Sequence, residues 1–538
     1  MWACFGLFKS HDKAETIIAI LKFLTLFGVY KLSAYYLSQS IDSFSKYIPI
    51  TFLTINIISI ILFVLALFAL PHCVSFEDLY AIRGLHGHKN LVASYFVISI
   101  PYIILYGLQR QKIVKLVSII IGMICFILLV FIDSRAAIFS FVVMILFAVF
   151  IYRKTLFSSK TVLMKFSLLM FLAIILSFAL KLYIFCGVLY PQHDTVVTKN
   201  ITNYYYNQDS DKHSVITTSA FERMALWKKS FLIIKENPIL GVGLENWKFE
   251  YPKYTLNGLI RCEIKNVNFL SPHNDYIWIA SEAGILGFLL YFSFIFLLIW
   301  NAIKKSAQNS WFKNAALLSI IALIINMLFD FPHQTIAHMI VFFISLGIIK
   351  SDIKYSYSIV NKYVIFLLVL FMFFCSFVLT YRILGEVNTS MLIKKKNTNS
   401  PQLESYCIQA ESYFYKSNAL GMPIEWYHGN ILANNGNVKQ AKISFESALK
   451  TAPYNRFVIQ DLATANHILG NDNEASALYL KALQISPKFD DARLNYAIIL
   501  MKQHQNDSAI QVLKYIVDTT NTRYSEMNRF LLLKNNLN

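Results

Sequence analysis

The chain has 538 residues, of which 56% are hydrophobic and only 15% are charged, against about 25% in a typical soluble domain. Its 49 lysines and arginines outnumber its 31 aspartates and glutamates, for a net charge of +18. This composition excludes an ordinary soluble protein, and the short basic runs between apolar stretches indicate cytoplasmic loops of a membrane protein rather than a nucleic-acid-binding surface.

About ten apolar stretches are long enough to cross roughly 30 Å of hydrocarbon as helices. They lie at about residues 16–37, 47–70, 91–108, 116–132, 136–152, 164–190, 285–303, 312–331, 335–349 and 363–384. We therefore predict an all-α fold, a polytopic bundle of about ten transmembrane helices.

Lysine and arginine in the short loops predict the orientation, because basic residues resist export. The loops 109–115, 153–165, 301–313 and 350–362 count as cytoplasmic. Alternation then places outside the segment 71–90, the turn 133–135, the long loop 191–283 and everything after 384. It also puts the basic chain start outside, against the rule, which indicates either a false first span or helices missing before it.

We therefore divide the chain into N-terminal transmembrane helices (1–190), an extracytoplasmic loop (191–283), C-terminal transmembrane helices (284–384) and an extracytoplasmic domain (385–538). That domain repeats every 34 residues, the tetratricopeptide period, as in Gly436 and Gly470, Ala441 and Ala475, and Pro453 and Pro487. About three repeats from 424 to near 525, after a degenerate helical pair at 402–417, predict a superhelix whose concave surface binds peptide or protein. A generic helical bundle is the alternative.

Arg135 lies in a tight turn between two apolar spans, where an ionisable side chain calls for an explanation. Its guanidinium offers a fork of donors that matches phosphate oxygens, so we predict an anion site at the outer surface. The alternative is that Arg135 pairs with Asp133 and extends to the lipid headgroups.

Two helices are predicted in the long loop. The first begins at the capping-box spacing of Ser219 and Glu222 and ends before Pro238, with one apolar face suited to the membrane surface. Arg223, where this helix opens, would favour a bound phosphate, because the free N–H groups there add to its charge. Contact with lipid headgroups is the alternative.

The second helix is predicted to start with Ser271 as N-cap and Pro272 as its first residue. His273 would then lie in the first turn, beside Asn274, where the helix dipole lowers its pKa and leaves a neutral base. A purely structural histidine is the alternative.

No metal or cofactor site is predicted. The seven cysteines include no CxxC pair, although Cys186 and Cys262 could meet outside the cytoplasm. Asp209 and Asp211 have the DxD form of some metal-dependent enzymes but lie in a Tyr/Asn-rich loop. His86 and His88 are possible ligands or headgroup contacts. The segment Asp330-Phe331-Pro332-His333 is predicted to form another short outer turn.

Several segments resemble, in order, the O-antigen ligase family of lipopolysaccharide O-antigen ligases, O-antigen polymerases and bacterial protein O-oligosaccharyltransferases. They are Gly87-His88-Lys89-Asn90-Leu91-Val92-Ala93, Ser134-Arg135-Ala136-Ala137, Arg223 to Trp227 with Asn237 to Gly243, Pro272-His273-Asn274-Asp275-Tyr276, and Glu282-Ala283-Gly284. The resemblance covers roughly residues 71–349. Relatives commonly have more spans before the long loop than the six counted here, and only some carry exported repeats.

The resemblance implies metal-independent transfer of a glycan from undecaprenyl diphosphate to an acceptor hydroxyl outside the bacterial inner membrane. Arg135 and Arg223 would hold the diphosphate, and His273 would deprotonate the hydroxyl, so that attack inverts the sugar centre. Asn274, Arg83 and Lys89 are further expected substrate-binding residues.

The acceptor stays open between a lipid A core or other surface lipid, a protein serine or threonine, and a growing glycan. A non-catalytic membrane scaffold or transporter, with Arg135 lining a polar path, is a different class of function. In either class the expected partners are membrane lipids and a protein bound to the repeats, with the site and the repeats facing the periplasm.

Overall fold

The computed structural model describes residues 2–68, 85, 88–157, 175–176, 216–305, 310–351, 362–395, 402–516, 522 and 524–526. These residues form nineteen α-helices and contain no β-strand, which confirms the all-α prediction. The helices are α1 (Trp2–Phe5), α2 (Lys13–Phe68), α3 (Lys89–Leu108), α4 (Lys112–Ile132), α5 (Arg135–Phe157), α6 (Ile216–Glu236), α7 (Trp247–Glu250), α8 (Ile260–Lys265), α9 (Asp275–Lys304), α10 (Trp311–Asn326), α11 (Ile336–Lys350), α12 (Lys362–Lys395), α13 (Gln402–Ala410), α14 (Ile424–Asn434), α15 (Val438–Thr451), α16 (Arg456–Ile468), α17 (Asp472–Ile485), α18 (Asp490–Lys502) and α19 (Asn506–Leu513).

Six helices of the described part are long and apolar enough to cross a membrane, namely α2, α3, α4, α5, α9 and α12. Two shorter apolar helices, α10 and α11, pack beside them. Together they support a multi-pass membrane protein. The predicted span 164–190 lies outside the described residues, apart from 175–176.

One predicted span ends too late. The stretch 312–331 was expected to be helical throughout, but α10 ends at Asn326. Phe331 precedes Pro332 and has φ −128° and ψ 51°, because a proline disfavours helical geometry in the residue before it. Residues 327–335 therefore form a turn between α10 and α11, here called the site turn.

Helix α2 contains the first predicted span, 16–37, and the described part of the second, 47–68. It is interrupted at Ser40, which has φ −148° and ψ 58°. In its first half, Lys22 donates a hydrogen bond to the carbonyl of Gln334, just before α11, and Tyr30 lies against Gly347 near the end of α11. The first half therefore runs parallel to α11.

The second half of α2 runs antiparallel to α3. The rings of Phe52 and Tyr102 are 4.7 Å apart, and Asn56 donates a 3.0 Å hydrogen bond to Ser99. Because α3 and α11 both begin at the end of the bundle that carries the long loop, the two halves of α2 run in opposite directions. We call this end the loop side.

The chain start also lies on the loop side. Trp2 donates a 2.9 Å hydrogen bond to the carbonyl of Ala283, and the backbone N–H of Asp12 donates to Asn246 at 2.8 Å. This position agrees with the alternation of spans. It does not agree with the basic-residue rule, because Lys9 and Lys13 would favour the side that carries the basic loops.

The carboxyl-terminal domain is a stack of helical pairs, α14–α15, α16–α17 and α18–α19. Ala441 and Ala475, which match across the 34-residue offset, are both fully buried between paired helices. The predicted pair at 402–417 is different, because only α13 is helical there. The carboxyl end of α12 replaces the missing helix, and its Leu392 packs against Leu403 of α13.

The repeat domain docks on the long loop through the turns between its helical pairs. Arg456, only 2% exposed, donates from its guanidinium to Asn266 at 2.8 Å and to the carbonyl of Cys262. The backbone N–H of Leu256 donates to the carbonyl of Ile485 at 2.6 Å. The repeat domain is therefore fixed against the loop.

A buried charged junction ties the chain start to three other parts of the molecule. Glu15 accepts hydrogen bonds from Lys248 in the loop, at 2.7 Å, and from Arg382 in α12. Next to it, Asp12 accepts from Ser417 of the repeat domain at 2.7 Å. Removal of Lys248 or Arg382 would leave the buried charge of Glu15 with only one counter-charge.

We predict that Lys248→Met lowers the free energy of unfolding by about 3 kcal/mol, because Glu15 stays buried with less compensation. Thermal unfolding in detergent measures this change. The matched control is Lys442→Met, whose partners Glu446 and Glu474 are 49% and 65% exposed, and its effect should stay below about 1 kcal/mol. Equal shifts in the two variants would contradict the role of the junction.

Candidate active site

The site turn brings three separate parts of the chain together on the loop side. Its Phe329 carbonyl accepts a 3.0 Å hydrogen bond from the guanidinium of Arg223 on α6. Its Phe331 ring lies 5.1 Å from the ring of His273, just before α9, and 6.1 Å from that of His88, just before α3. Two of the three predicted catalytic residues, Arg223 and His273, therefore meet on one turn.

Arg223 lies further inside its helix than predicted. Helix α6 begins at Ile216, so Ser219 is not its N-cap and the predicted capping box is wrong. Glu222 instead accepts hydrogen bonds from the backbone N–H and the guanidinium of Arg261, at 2.9 and 2.7 Å. Arg223 therefore lies about two turns after the helix start, away from the free N–H groups that were expected to add to its charge.

Helix α6 has two different apolar faces. Leu226 and Ile233 are fully buried against the rest of the loop, whereas Phe221 and Met224 are 60% and 62% exposed. Lys229, predicted to be on the polar face, is buried and donates a hydrogen bond to the carbonyl of Asn257. The single membrane-facing surface predicted from the sequence is therefore only partly correct.

His273 lies before its helix and not in the first turn. Helix α9 begins at Asp275, and Asn274 is its N-cap, accepting a 3.1 Å hydrogen bond from the N–H of Ile277. The predicted Ser271 cap is wrong. His273 has φ +55°, in the left-handed region that residues other than glycine seldom adopt.

Burial lowers the pKa of His273 to about 3, and the charges of Arg223, Arg261 and His88 lower it in the same direction. The imidazole is therefore uncharged near neutral pH, as expected, but the cause is desolvation and neighbouring cations rather than the helix dipole. Its Nδ1 atom is buried and has no hydrogen-bond partner among the described residues.

Arg135, the third predicted catalytic residue, is less directly connected. It is the exposed first residue of α5. One turn later, the ring of Phe139 lies 5.6 Å from that of Phe329, whose carbonyl accepts from Arg223. The structure thus places Arg135 at the start of a helix that contacts the site turn through Phe139.

The other predicted substrate-binding residues have mixed positions. Lys89 is buried at the start of α3, beside His88, whose Nδ1 accepts from the N–H of Asn90 at 3.2 Å. Asn274 is buried and its side chain caps α9. Arg83 lies outside the described residues, as do His86, Cys186, Asp209 and Asp211.

Sequence reasoning assigned no functional role to two buried carboxylates. Burial raises the pKa of Asp330, in the site turn, to about 6, while the charge of Arg223 opposes that rise. Asp275 accepts a 2.9 Å hydrogen bond from the N–H of His333, and its own N–H donates to Met327 at 2.9 Å. An acidic residue at the end of an apolar stretch was the available signal for Asp330.

The glycine-containing motifs of the resemblance have a structural role. Helix α9 is interrupted at Gly284, with φ 72° and ψ 171°, where a Cβ atom would lie 1.9 Å from the carbonyl oxygen of Ile239. The N–H of Gly243 donates to the carbonyl of Glu282 at 3.0 Å. These contacts lock the segment after α6 onto the first turns of α9 and so fix Arg223 relative to His273.

No cluster of three or more histidine, cysteine, aspartate or glutamate side chains able to hold a metal ion occurs within the ranges that the structure describes. Cys262 is buried and free.

Comparison with protein families gives two matches. Residues 120–292 match the O-antigen ligase family model, and residues 470–528 match a tetratricopeptide-repeat model. A comparison with curated proteins found no significant match. The first match contains Arg135, Arg223 and His273 and ends before the site turn. The chain thus carries a region similar to the O-antigen ligase family, followed by a region similar to tetratricopeptide repeats, which confirms the family resemblance found in the sequence.

Proposed function

We propose that this protein is an integral membrane glycosyltransferase that transfers a glycan from undecaprenyl diphosphate to an acceptor hydroxyl. The O-antigen ligase match supports a membrane glycosyltransferase or ligase role in general. The observation that carries the specific proposal is the meeting of the Arg223 guanidinium and the buried, uncharged His273 on the site turn, at one end of an apolar bundle.

Arg223 and Arg135 bind the donor diphosphate in this proposal. As the bond between the anomeric carbon and the diphosphate oxygen breaks, the electron pair stays with that oxygen and negative charge grows there. The Arg223 guanidinium, held by its hydrogen bond to the site turn, is already oriented to stabilise such charge. Lys89, buried at the start of α3, adds positive charge next to His88, which contacts Phe331 of the site turn.

His273 removes the proton from the acceptor hydroxyl as its oxygen forms a bond to the anomeric carbon. Because the hydroxyl attacks from the face opposite the leaving diphosphate, the configuration inverts. Diphosphate leaves without protonation, so the proposal needs neither a general acid nor a metal.

Donor binding strengthens this base. Without donor, the pKa of His273 is about 3, which makes the imidazole a weak base. A bound diphosphate would offset the positive charges of Arg223 and Arg261 and raise that pKa. The base is then strong only when a donor is present.

We place the loop side at the periplasmic face of the inner membrane. The acceptor is a hydroxyl of the lipid A core or another surface lipid, or a protein serine or threonine. The fixed position of the repeat domain beside the loop supports the protein acceptor, because concave repeat surfaces commonly bind peptides. Deletion of the gene, followed by analysis of lipopolysaccharide and glycoproteins, distinguishes these acceptors from each other and from glycan polymerisation.

We predict that alanine at Arg135, Arg223 or His273 lowers transfer by about 100-fold or more, because each removes charge stabilisation or the base. Purified protein in detergent, supplied with lipid-linked glycan and acceptor, measures the rate. The control is Arg153→Ala, an exposed arginine near the other end of α5. Full activity in all three site variants, or no transfer by the native protein, would refute the proposal.

We also predict two different acid limits of activity. The value of kcat/KM for the donor reports the enzyme without donor, so His273 stays neutral and kcat/KM stays high down to about pH 4. The value of kcat reports the donor complex, and its acid limit should lie at higher pH because the diphosphate raises the pKa of His273. A shared limit near pH 6.5 would show that His273 is not the buried base.

A further inference from the structure

Trp227 connects the arginine helix to the chain just before His273. It lies one turn after Arg223 on α6, so the two side chains share a face of that helix. Its indole N–H donates a 2.9 Å hydrogen bond to the carbonyl of Pro272, forty-five residues further along the chain.

The backbone of His273 needs such a support. Its left-handed conformation is costly for a side chain with a Cβ atom and persists only where the surroundings impose it. After His273, the Asn274 cap and the bond from the N–H of Asp275 to Met327 fix the chain. Before it, Pro272 has no N–H to donate, and its carbonyl is held by Trp227.

We propose that Trp227 is a positioning residue that fixes His273 relative to Arg223, an inference that rests on the proposed function. Because Arg223 and Trp227 belong to one rigid helix, the distance from the diphosphate site to the base is set by a single turn of α6. Trp227 acts through the Pro272 carbonyl and contacts neither the diphosphate nor the hydroxyl.

Trp247 offers a matched comparison. Its indole N–H donates a 2.8 Å hydrogen bond to Ser230, and its ring stacks on Tyr251 with centroids 4.5 Å apart. It is fully buried in the same loop, but its bond holds a side chain of α6 and not the chain at His273. Loss of its indole donor should weaken folding without moving the base.

The test compares Trp227→Phe with Trp247→Phe in the full chain, purified in detergent. Trp227→Phe should lower kcat by about 100-fold, since a misplacement near 1 Å has effects of that size, and should change the donor KM by less than about threefold. Its acid limit of kcat/KM should move to higher pH as His273 becomes less buried. Trp247→Phe should lower the melting temperature but keep the native kcat and pH profile.

Two further measurements separate positioning from packing. Benzothienylalanine at position 227 keeps the shape of the indole and replaces only its N–H, so it should reproduce the loss of kcat with a native melting temperature. In a His273→Ala background, Trp227→Phe should cause no additional loss, because the base it positions is absent.

The outcomes are distinguishable. If the native protein transfers no glycan, or His273→Ala is fully active, the proposed function itself is wrong. If His273→Ala is inactive but the benzothienylalanine protein has native kcat and pH profile, only the positioning role of Trp227 is refuted. An equal loss of kcat in Trp247→Phe would likewise refute it, by assigning the effect to general packing.

Discussion

The hydrogen bond from Arg223 to the Phe329 carbonyl joins the loop helix α6 to the transmembrane bundle at the point where His273 lies. Its acceptor is a backbone carbonyl, which holds the guanidinium without adding a full negative charge of its own. A carboxylate in the same place would have held the side chain equally well but would have added that charge. The positive potential around Arg223 disfavours a proton on His273.

Asp330 balances that potential from inside the same turn. Its carboxyl group is buried, and its pKa of about 6 reflects desolvation opposed by the charge of Arg223. Asp275 performs a different task, since both its N–H and its carboxylate bind the site turn. One acidic residue thus adjusts the charge of the site, while the other fixes the start of α9 against the turn that Arg223 also contacts.

The sequence predicted those features that depend on local pattern. Long apolar runs gave the positions of the described spans, and the 34-residue offset gave the paired helices that bury Ala441 and Ala475. Arg223 and His273 were predicted from their motifs and lie together, although whether they catalyse transfer stays a prediction. The predicted starts of the two loop helices, α6 and α9, were wrong. For α9, the choice between Ser271 and Asn274 as the N-cap depends on tertiary contacts.

The remaining features depend on contacts between distant residues, which periodicity does not report. Nothing near Phe329 marks its carbonyl as the partner of Arg223, and no pattern in the sequence links Trp227 to Pro272 or Arg456 to Asn266. The site turn was predicted only in part. Residues 330–333 were predicted as a short outer turn, but residues 327–329 extend the hydrophobic run of α10, so hydropathy assigned them to a span.

The repeat domain rests on the loop through two of its inter-repeat turns, at Arg456 and Ile485. Those turns belong to the middle of the described array, and α18 and α19 stack onward from them. Helical pairs gained or lost beyond α19 would lengthen or shorten the superhelix without changing its contacts with the loop. The length of the repeat domain can therefore change during evolution while the site turn and the residues around it stay in place.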